Sequence, residues 1–201
     1  MVALLLLSSV AAQATDDNNQ RLRELMAAMR ASRGVYAEFV EQKRIALLTE
    51  PLESRGRLYF APPEALLRLT VEPSDTRLLI SGDDVRYRDA AGADRFDLSS
   101  NSAARQFVEN FLVLFTGDLE QLRDRYEVAF EIEDETWRLD LRPRRAPFDR
   151  LVEQVVLRGK GRLLGSIEMI EKDGDSTVTR IVDMDPDRSL TSEHLSRMFS
   201  D

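Results

Sequence analysis

The sequence contains no cysteine, and only one histidine occurs among its 201 residues. Without cysteine the chain can form no disulfide framework and cannot carry a lipid on a cysteine side chain. Because His194 stands alone, a multi-histidine metal site and a histidine-based catalytic triad are both excluded, and we expect His194 to be a solvated surface residue. The glycine-rich P-loop and the dinucleotide-binding G-x-G-x-x-G pattern are also missing. These absences predict a protein that is not an enzyme and that binds no cofactor.

Basic charge is scarce relative to acidic charge. The chain carries 28 Lys and Arg residues against 36 Asp and Glu residues, which gives a net charge of −8. No basic run could follow a phosphate backbone, so we expect no nucleic-acid partner. Anionic lipid head groups would repel such a chain weakly, which suits a protein that makes only transient contact with a membrane.

The acidic residues form two clusters that could suggest metal binding. Residues 131–135, EIEDE, are expected at a hairpin tip, where charge is normally solvated. Residues 183–194, DMDPDRSLTSEH, begin with acids at positions 1, 3 and 5 of a calcium-binding loop. However, Arg188 stands where that loop requires glycine, and His194 stands where it requires a closing glutamate. We therefore predict no metal site.

Residues 1–14, MVALLLLSSVAAQA, are typical of a secretory signal peptide. An apolar run precedes small residues at Ala12 and Ala14, which predicts cleavage after Ala14 and a single domain over residues 15–201. A membrane anchor is the weaker interpretation, because the apolar run is too short to span a bilayer. A signal peptide without an anchor predicts a soluble protein in the periplasm of a Gram-negative bacterium or outside the cell.

Hydrophobic periodicity predicts an α+β fold. Residues 17–33 place Leu22, Leu25, Met26 and Met29 on one face of a helix, and residues 101–124 form a second helical region. Between and after them the apolar period changes to two, and short turns connect the segments, which indicates antiparallel pairing in one large curved sheet. The predicted strands cover residues 35–44, 53–60, 66–72, 77–81, 85–89, 94–98, 126–132, 137–143, 151–158, 163–171 and 176–184.

The segment GRLYFAPPEALLRL, residues 56–69, places bulky apolar groups on both faces of its strands. A strand of this kind needs a helix, a second sheet or a bound apolar molecule over its second face. The helical stripe of Phe107, Phe111, Leu114 and Phe115 could supply part of that cover. An ordinary filled core and a cavity for a lipid-sized ligand both satisfy the pattern.

The order and spacing of several segments resemble the LolA-like family of outer-membrane lipoprotein carriers, in its divergent branch. The similarity begins with VYAEFVEQKRI, PLESRGRLYFAPPEALLRL and LLISGDDVRYRD. It continues through FTGDLEQLRDRYEV, WRLDLRP and IEMIEKDGDSTVTRI, so that it covers nearly all of residues 15–201. The resemblance implies an unclosed half-barrel, in which a strongly curved antiparallel sheet is covered by helices that form a lid over an apolar cavity.

The resemblance also implies a function. A protein of this family would be a monomeric periplasmic carrier that takes acyl chains of lipoproteins or lipids from an inner-membrane exporter to an outer-membrane acceptor. The alternative is a non-enzymatic protein-interaction or envelope-assembly module without lipid cargo. The residues expected to bind lipid are Phe39, Leu58, Phe60, Leu67, Leu69, Phe107, Phe111, Trp137 and Met169.

One position departs from the family pattern. Well-studied carriers place an arginine just before the proline of the turn between the second and third strands, where it helps to hold the lid closed. Pro62 occupies that position here, and Arg68 is nearby in the sequence. The departure leaves the cargo open between a lipoprotein, a glycolipid and a pigment lipid.

Overall fold

A computed structural model describes the backbone of residues 3–200, with side chains described from residue 17 onwards. The predicted signal peptide, residues 1–14, lies outside the described side chains, and its cleavage stays a prediction. The helices are α1 (Ala3–Arg30), α2 (Ser102–Thr116), α3 (Leu119–Arg125), α4 (Phe148–Leu151) and α5 (Ser192–Ser200). The strands are β1 (Val35–Arg44), β2 (Leu52–Ala61), β3 (Ala65–Glu72), β4 (Thr76–Ser81), β5 (Asp84–Asp89), β6 (Gly92–Asp97), β7 (Tyr126–Glu133), β8 (Thr136–Pro143), β9 (Val152–Lys160), β10 (Leu163–Glu171) and β11 (Ser176–Asp185).

All eleven strands form one antiparallel sheet in the order β6-β5-β4-β3-β2-β1-β11-β10-β9-β8-β7. The first and last strands, β1 and β11, pair at its centre, so the two halves of the chain join there. Strands β6 and β7 are the two edges, and the sheet order leaves them unpaired with each other. The predicted α+β class and the unclosed antiparallel sheet are therefore confirmed.

Strand register sorts the side chains into two faces. Phe39 on β1 lies opposite Gly56 on β2, and Leu58 on β2 lies opposite Arg68 on β3. Because side chains alternate along a strand, Phe39, Leu58 and Arg68 share the face that carries the main core under α1 and α2. We call this the inner face of the sheet and the opposite one the outer face.

A tight turn at Gly117 joins α2 to α3 and receives the end of α1. Gly117 adopts a left-handed conformation with φ of 66° and ends α2. A Cβ atom at this position would lie 2.5 Å from the carbonyl oxygen of Met26 and 2.5 Å from the backbone nitrogen of Arg30. Only glycine therefore allows α1 to pack this closely on the turn.

The outer face of β2–β4 is covered by α5, a helix that the sequence analysis did not predict. A second buried cluster joins Ala61, Ala65, Leu67 and Leu79 of the sheet to Leu195 and Phe199 of α5. Arg77 donates hydrogen bonds to the carbonyl oxygens of Met198 and Phe199, at 3.2 and 3.3 Å, at the C-terminal end of the helix. The helix covers the second apolar face of residues 56–69, while His194 on its first turn is exposed as predicted.

Candidate functional site

A cavity of about 340 Å³ lies between the inner face of the sheet and the helices α1 and α2. Its volume falls within the range of about 300 to 1,000 Å³ that is common for small-molecule sites. The walls combine strands β1–β3 and β8–β11 with the last turns of both helices. Apolar wall residues include Leu25, Met29, Phe39, Leu58, Phe111, Phe115, Trp137, Leu139, Leu157, Ile167, Met169 and Ile181.

Methionine is concentrated around this cavity. Four of the six methionines in the sequence line it, namely Met26, Met29, Met169 and Met184. A methionine side chain is unbranched and polarisable, so it adapts to ligands of different shape. The wall is therefore apolar and deformable, which suits a flexible hydrocarbon chain.

Five of the nine residues predicted to bind lipid meet at this cavity: Phe39, Leu58, Phe111, Trp137 and Met169. They come from β1, β2, α2, β8 and β10, so the fold brings together side chains that are far apart in the sequence. Trp137 is 5% exposed and donates a hydrogen bond from Nε1 to the carbonyl oxygen of Gly161 at 3.0 Å. This bond fixes the indole ring in the wall.

The other four residues lie elsewhere. Leu67 and Leu69 point to the outer face and pack in the cluster under α5, because they alternate with the inner-face residues of β3. Phe60 packs on Phe115 in the main core, with 5.9 Å between ring centroids. Phe107 is 41% exposed and packs on the ring of Phe148. None of the four is in the wall of this cavity, and the lipid-binding role of all nine residues stays a prediction.

A second pocket of about 490 Å³ lies where the end of α1, helix α2 and the β2–β3 turn meet. Pro62, at the position of the family arginine, lines this pocket. Its charged lining includes the ion pair between Arg125 and Glu109, which are 3.0 Å apart. Although larger, this pocket suits water better than an acyl chain, since burying an apolar ligand there would desolvate charged groups.

Polar groups fix the helices that cover the first cavity. The buried hydroxyl of Tyr126 donates a hydrogen bond to the carbonyl oxygen of Asn110 on α2 at 2.7 Å, and burial raises the pKa of this phenol. Asp118 caps α3 by accepting a hydrogen bond from the backbone N–H of Gln121, which lowers the pKa of its carboxyl group. Asp118 therefore carries its charge at neutral pH, where Arg30 of α1 lies 3.9 Å away.

One end of the cavity carries a polar cluster that the sequence analysis missed. Arg68 donates two hydrogen bonds to Glu41, from Nη2 to Oε1 at 2.7 Å and from Nη1 to Oε2 at 3.1 Å. The Thr179 hydroxyl donates to the same carboxylate at 2.6 Å. The guanidinium carbon of Arg68 lies 4.2 Å from the ring centroid of Phe39. An ion pair thus forms part of a mainly apolar wall, and its partners in these bonds belong to the sheet.

A glycine in β2 leaves room for the ring of Phe39, on which Arg68 packs. Gly56 lies opposite Phe39 on β1, and Arg68 on β3 lies opposite Leu58, two residues further along β2. A Cβ atom at Gly56 would lie 2.9 Å from Cζ of Phe39 and 2.0 Å from the carbonyl oxygen of Leu69. Arg68 extends across β2 to reach Glu41 on β1. The signal in the sequence is a break in apolar alternation on the inner face at positions 41, 43 and 68.

A family model described as "Outer membrane lipoprotein carrier protein LolA-like" matches residues 10–191. The match ends at the residue before α5 begins, so this helix lies outside it. No curated protein sequence matches the chain.

Solved structures of similar fold have low sequence identity to this chain. A putative outer membrane lipoprotein-sorting protein domain from Vibrio parahaemolyticus has a TM-score of 0.51 at 13% identity, over 89% of this chain and 96% of that one. A chain of the MucA/MucB complex of Pseudomonas aeruginosa has a TM-score of 0.52 at 14% identity, over 89% of this chain and 60% of that one. A LolA superfamily protein from Nitrosomonas europaea has a TM-score of 0.49 at 14% identity, over 90% of this chain and 97% of that one. At these identities the first two comparisons show the fold alone.

Proposed function

The chain belongs to the LolA-like family of outer-membrane lipoprotein carrier proteins, and on that premise we propose that it is a periplasmic carrier of acyl chains. It would bind the chains of lipoproteins or lipids in the cavity under α1 and α2. It would then shuttle them from an inner-membrane exporter to an outer-membrane acceptor. LolA-like proteins are carriers or binding proteins, and we propose no enzymatic activity for this one. Within the described part of the chain, no helix has the length and apolarity to cross a membrane.

The observation that carries this proposal is the apolar, methionine-rich cavity of about 340 Å³. Each buried methylene group contributes roughly 0.8 kcal/mol to binding, so an alkyl chain of moderate length supplies ample affinity. Binding is non-directional, which lets one cavity accept several chains of similar length. The requirement for release then falls on the lid, since the ligand leaves only when α1 and α2 separate from the sheet.

Native mass spectrometry of protein purified from its own periplasm tests the proposal. We expect a stoichiometric adduct whose mass matches an acylated molecule, and lipid extraction then identifies the cargo. A fluorescent fatty-acid probe should bind to the delipidated protein and be displaced by the extracted lipid. A clean unliganded mass together with no probe binding would contradict the carrier proposal.

Two neighbouring residues of β11 provide a matched pair of variants for the same assays. Ile181 lines the cavity, whereas Val182 points to the outer face and is 62% exposed. Ile181→Phe should reduce probe binding because the larger side chain occupies cavity volume, while Val182→Phe should bind like the wild type. Circular dichroism and thermal unfolding check that both variants are folded. Equal loss of binding in both variants would indicate a site other than this cavity.

The alternative is a protein-interaction or envelope-assembly module without lipid cargo. A chain of similar fold occurs in the MucA/MucB complex, so this type of fold is also found in a protein–protein assembly. Under this alternative the purified protein carries no lipid, and a specific protein partner is recovered whose binding survives delipidation. Under the carrier proposal, removal of lipid leaves the cavity able to rebind acyl chains.

A further inference from the structure

We propose that the cavity selects amphiphiles with an anionic head and holds that head at Arg68 and Lys43, an inference that rests on the proposed carrier function. The acyl chain would extend from there along Phe39 and Leu58 towards the lid helices. The head would be a carboxylate or a phosphate, because both present several acceptor oxygens with negative charge.

The charge of the cavity wall supports an anionic head. Among the residues whose side chains the structure describes, three basic ones, Lys43, Arg68 and Arg162, line the cavity, and Glu41 is the single acidic one in its wall. The chain as a whole has a net charge of −8. The sign of the charge is therefore reversed inside the cavity relative to the whole molecule, and a wall of this kind attracts anions.

The hydrogen-bonding capacity at the polar end of the cavity also favours an anionic head. The Glu41 carboxylate accepts hydrogen bonds from Arg68 and Thr179, with Ser54 Oγ at 3.4 Å, so it has little capacity for a ligand. Of the five N–H groups of a guanidinium, Arg68 donates two to Glu41, and the other three make no hydrogen bond within the described part of the chain. This end of the cavity therefore offers a ligand mainly hydrogen-bond donors.

Lys43 adds a second cation to the wall of the same cavity. Its side chain faces the same wall, and Nζ lies 3.4 Å from Oε1 of Glu171, a single long contact that leaves capacity for another acceptor. Thr177, which pairs with Lys43 across β1 and β11, lines the cavity as well. Arg162 lies in the β9–β10 turn and is exposed, so the partly buried pair of cations is the better site for a head group.

Structural stabilisation alone is a weak explanation for the Glu41–Arg68 pair. Their side chains are 16% and 25% exposed, so both charges lose much of their hydration. The attraction within a buried ion pair often does no more than offset this desolvation. The pair does, however, hold the guanidinium against Phe39 in a fixed orientation, with its remaining donors next to the apolar wall. This arrangement is suited to binding a molecule that is part anion and part hydrocarbon.

Three ligands with the same chain test the inference: dodecanol, dodecanoate and dodecyl phosphate, each below its micelle concentration. Binding to the delipidated full-length protein is measured by displacement of an uncharged fluorescent probe. We expect the dissociation constant of at least one anionic ligand to be about tenfold lower than that of dodecanol, as charge-assisted hydrogen bonds imply. Comparison of the two anions distinguishes a carboxylate head from a phosphate head.

Variants then assign the preference to the polar cluster. Arg68→Gln should remove most of the preference for the anionic ligand, measured as the ratio between the dissociation constants of dodecanol and of the anionic ligand in the same variant. Because this variant leaves Glu41 without its cation, the double variant Arg68→Gln with Glu41→Gln repeats the test without an unpaired buried charge. Arg57→Gln is the matched control, since Arg57 lies on β2 with its side chain half exposed and paired with Glu38.

The outcomes separate the two proposals. Equal affinity for all three ligands in the wild type would overturn the head-group site and leave the carrier function standing. A preference that survives in both Arg68 variants would also overturn it. If none of the three ligands binds, the carrier function itself is refuted, and the inference that rests on it is refuted as well.

Discussion

At the scale of single residues, the outer face of the sheet carries charged pairs whose effect depends on pH. Asp140 on β8 accepts hydrogen bonds from Nε and Nη2 of Arg138, at 2.6 and 2.7 Å. These bonds lower the pKa of the Asp140 carboxyl group, against the opposing effect of burial. The pKa of Asp140 is therefore lower in the folded state than in the unfolded state. The charged pair stabilises the fold fully at a pH above the unfolded-state pKa, and this stabilisation is lost as the pH falls through the folded-state pKa.

We therefore expect Asp140→Asn to lower the free energy of unfolding at pH 7, because it removes this charged pair. The loss should be only about 1 kcal/mol, since solvent reaches Arg138 and weakens the pair. The difference in unfolding free energy between this variant and the wild type should shrink as the pH falls below 3.8, the ordinary pKa of the carboxyl group, and through the lower folded-state pKa of Asp140. Denaturant unfolding at a series of pH values measures both quantities. Asp94→Asn, on the exposed edge strand β6, is the control and should show little change. A deficit of equal size at every pH would contradict this account.

The polar cluster shows how far residue-level prediction extends. Alternation along β1 predicts that Glu41 and Lys43 share a face with Phe39, and alternation along β3 separates Arg68 from Leu67 and Leu69. The contact between Arg68 and Glu41 is not local, since it crosses β2 between residues 27 positions apart. It depends on the register of three strands, which cannot be derived from one strand alone.

At the scale of elements, all eleven strands were predicted within two residues of their bounds. The turns made this possible, because short glycine-containing connections such as KDGD fix where one antiparallel strand ends and the next begins. Helix α5 was missed although Leu195, Met198 and Phe199 have helical spacing. It is only nine residues long, and its first turn overlaps the acidic segment that was considered as a calcium loop.

The missed helix also explains why the cavity residues were predicted only in part. Alternation shows that Leu67 and Leu69 share a face, but it does not show whether that face is covered by the lid or by another element. With no cover predicted for the outer face, Leu58, Phe60, Leu67 and Leu69 are all expected to bind lipid, although they lie on two faces of the sheet. The structure places Leu67 and Leu69 under α5, so an extra element changed the assignment of a whole face.

We expect Leu195→Ala to lower the free energy of unfolding by about 2 to 4 kcal/mol, the usual cost of a cavity at a fully buried leucine. Binding of an acyl-chain probe, measured where the variant is still folded, should be unchanged, because α5 and the cavity lie on opposite faces. Arg197→Ala in the same helix is the matched control, since Arg197 is exposed. Loss of probe affinity in folded Leu195→Ala would show that the two faces are coupled.

At the scale of the whole molecule, the curved sheet separates two kinds of packing. The outer face of β2–β4 is closed by α5 with a compact apolar cluster, whereas the inner face keeps open volume beneath α1 and α2. A molecule with a closed outer core can tolerate movement of its lid, because the β2–β4 part of the sheet is stabilised independently of the helices that must open. This division favours a carrier, which needs a stable frame and a cavity that fills and empties.

The sole tryptophan reports directly on which side of the sheet a ligand binds. Trp137 lines the cavity, so a dodecanoate brominated near its methyl end should quench Trp137 emission on binding, whereas unbrominated dodecanoate should not. Heavy-atom quenching requires close approach, which makes it a measure of position rather than of affinity alone. The control combines Trp137→Phe with Val182→Trp, which moves the fluorophore to the exposed outer face of β11. Quenching confined to the wild type places the alkyl chain beneath the lid. Equal quenching of both proteins would mean that the chain binds to the molecular surface, and the open volume on the inner face would then have no part in carriage.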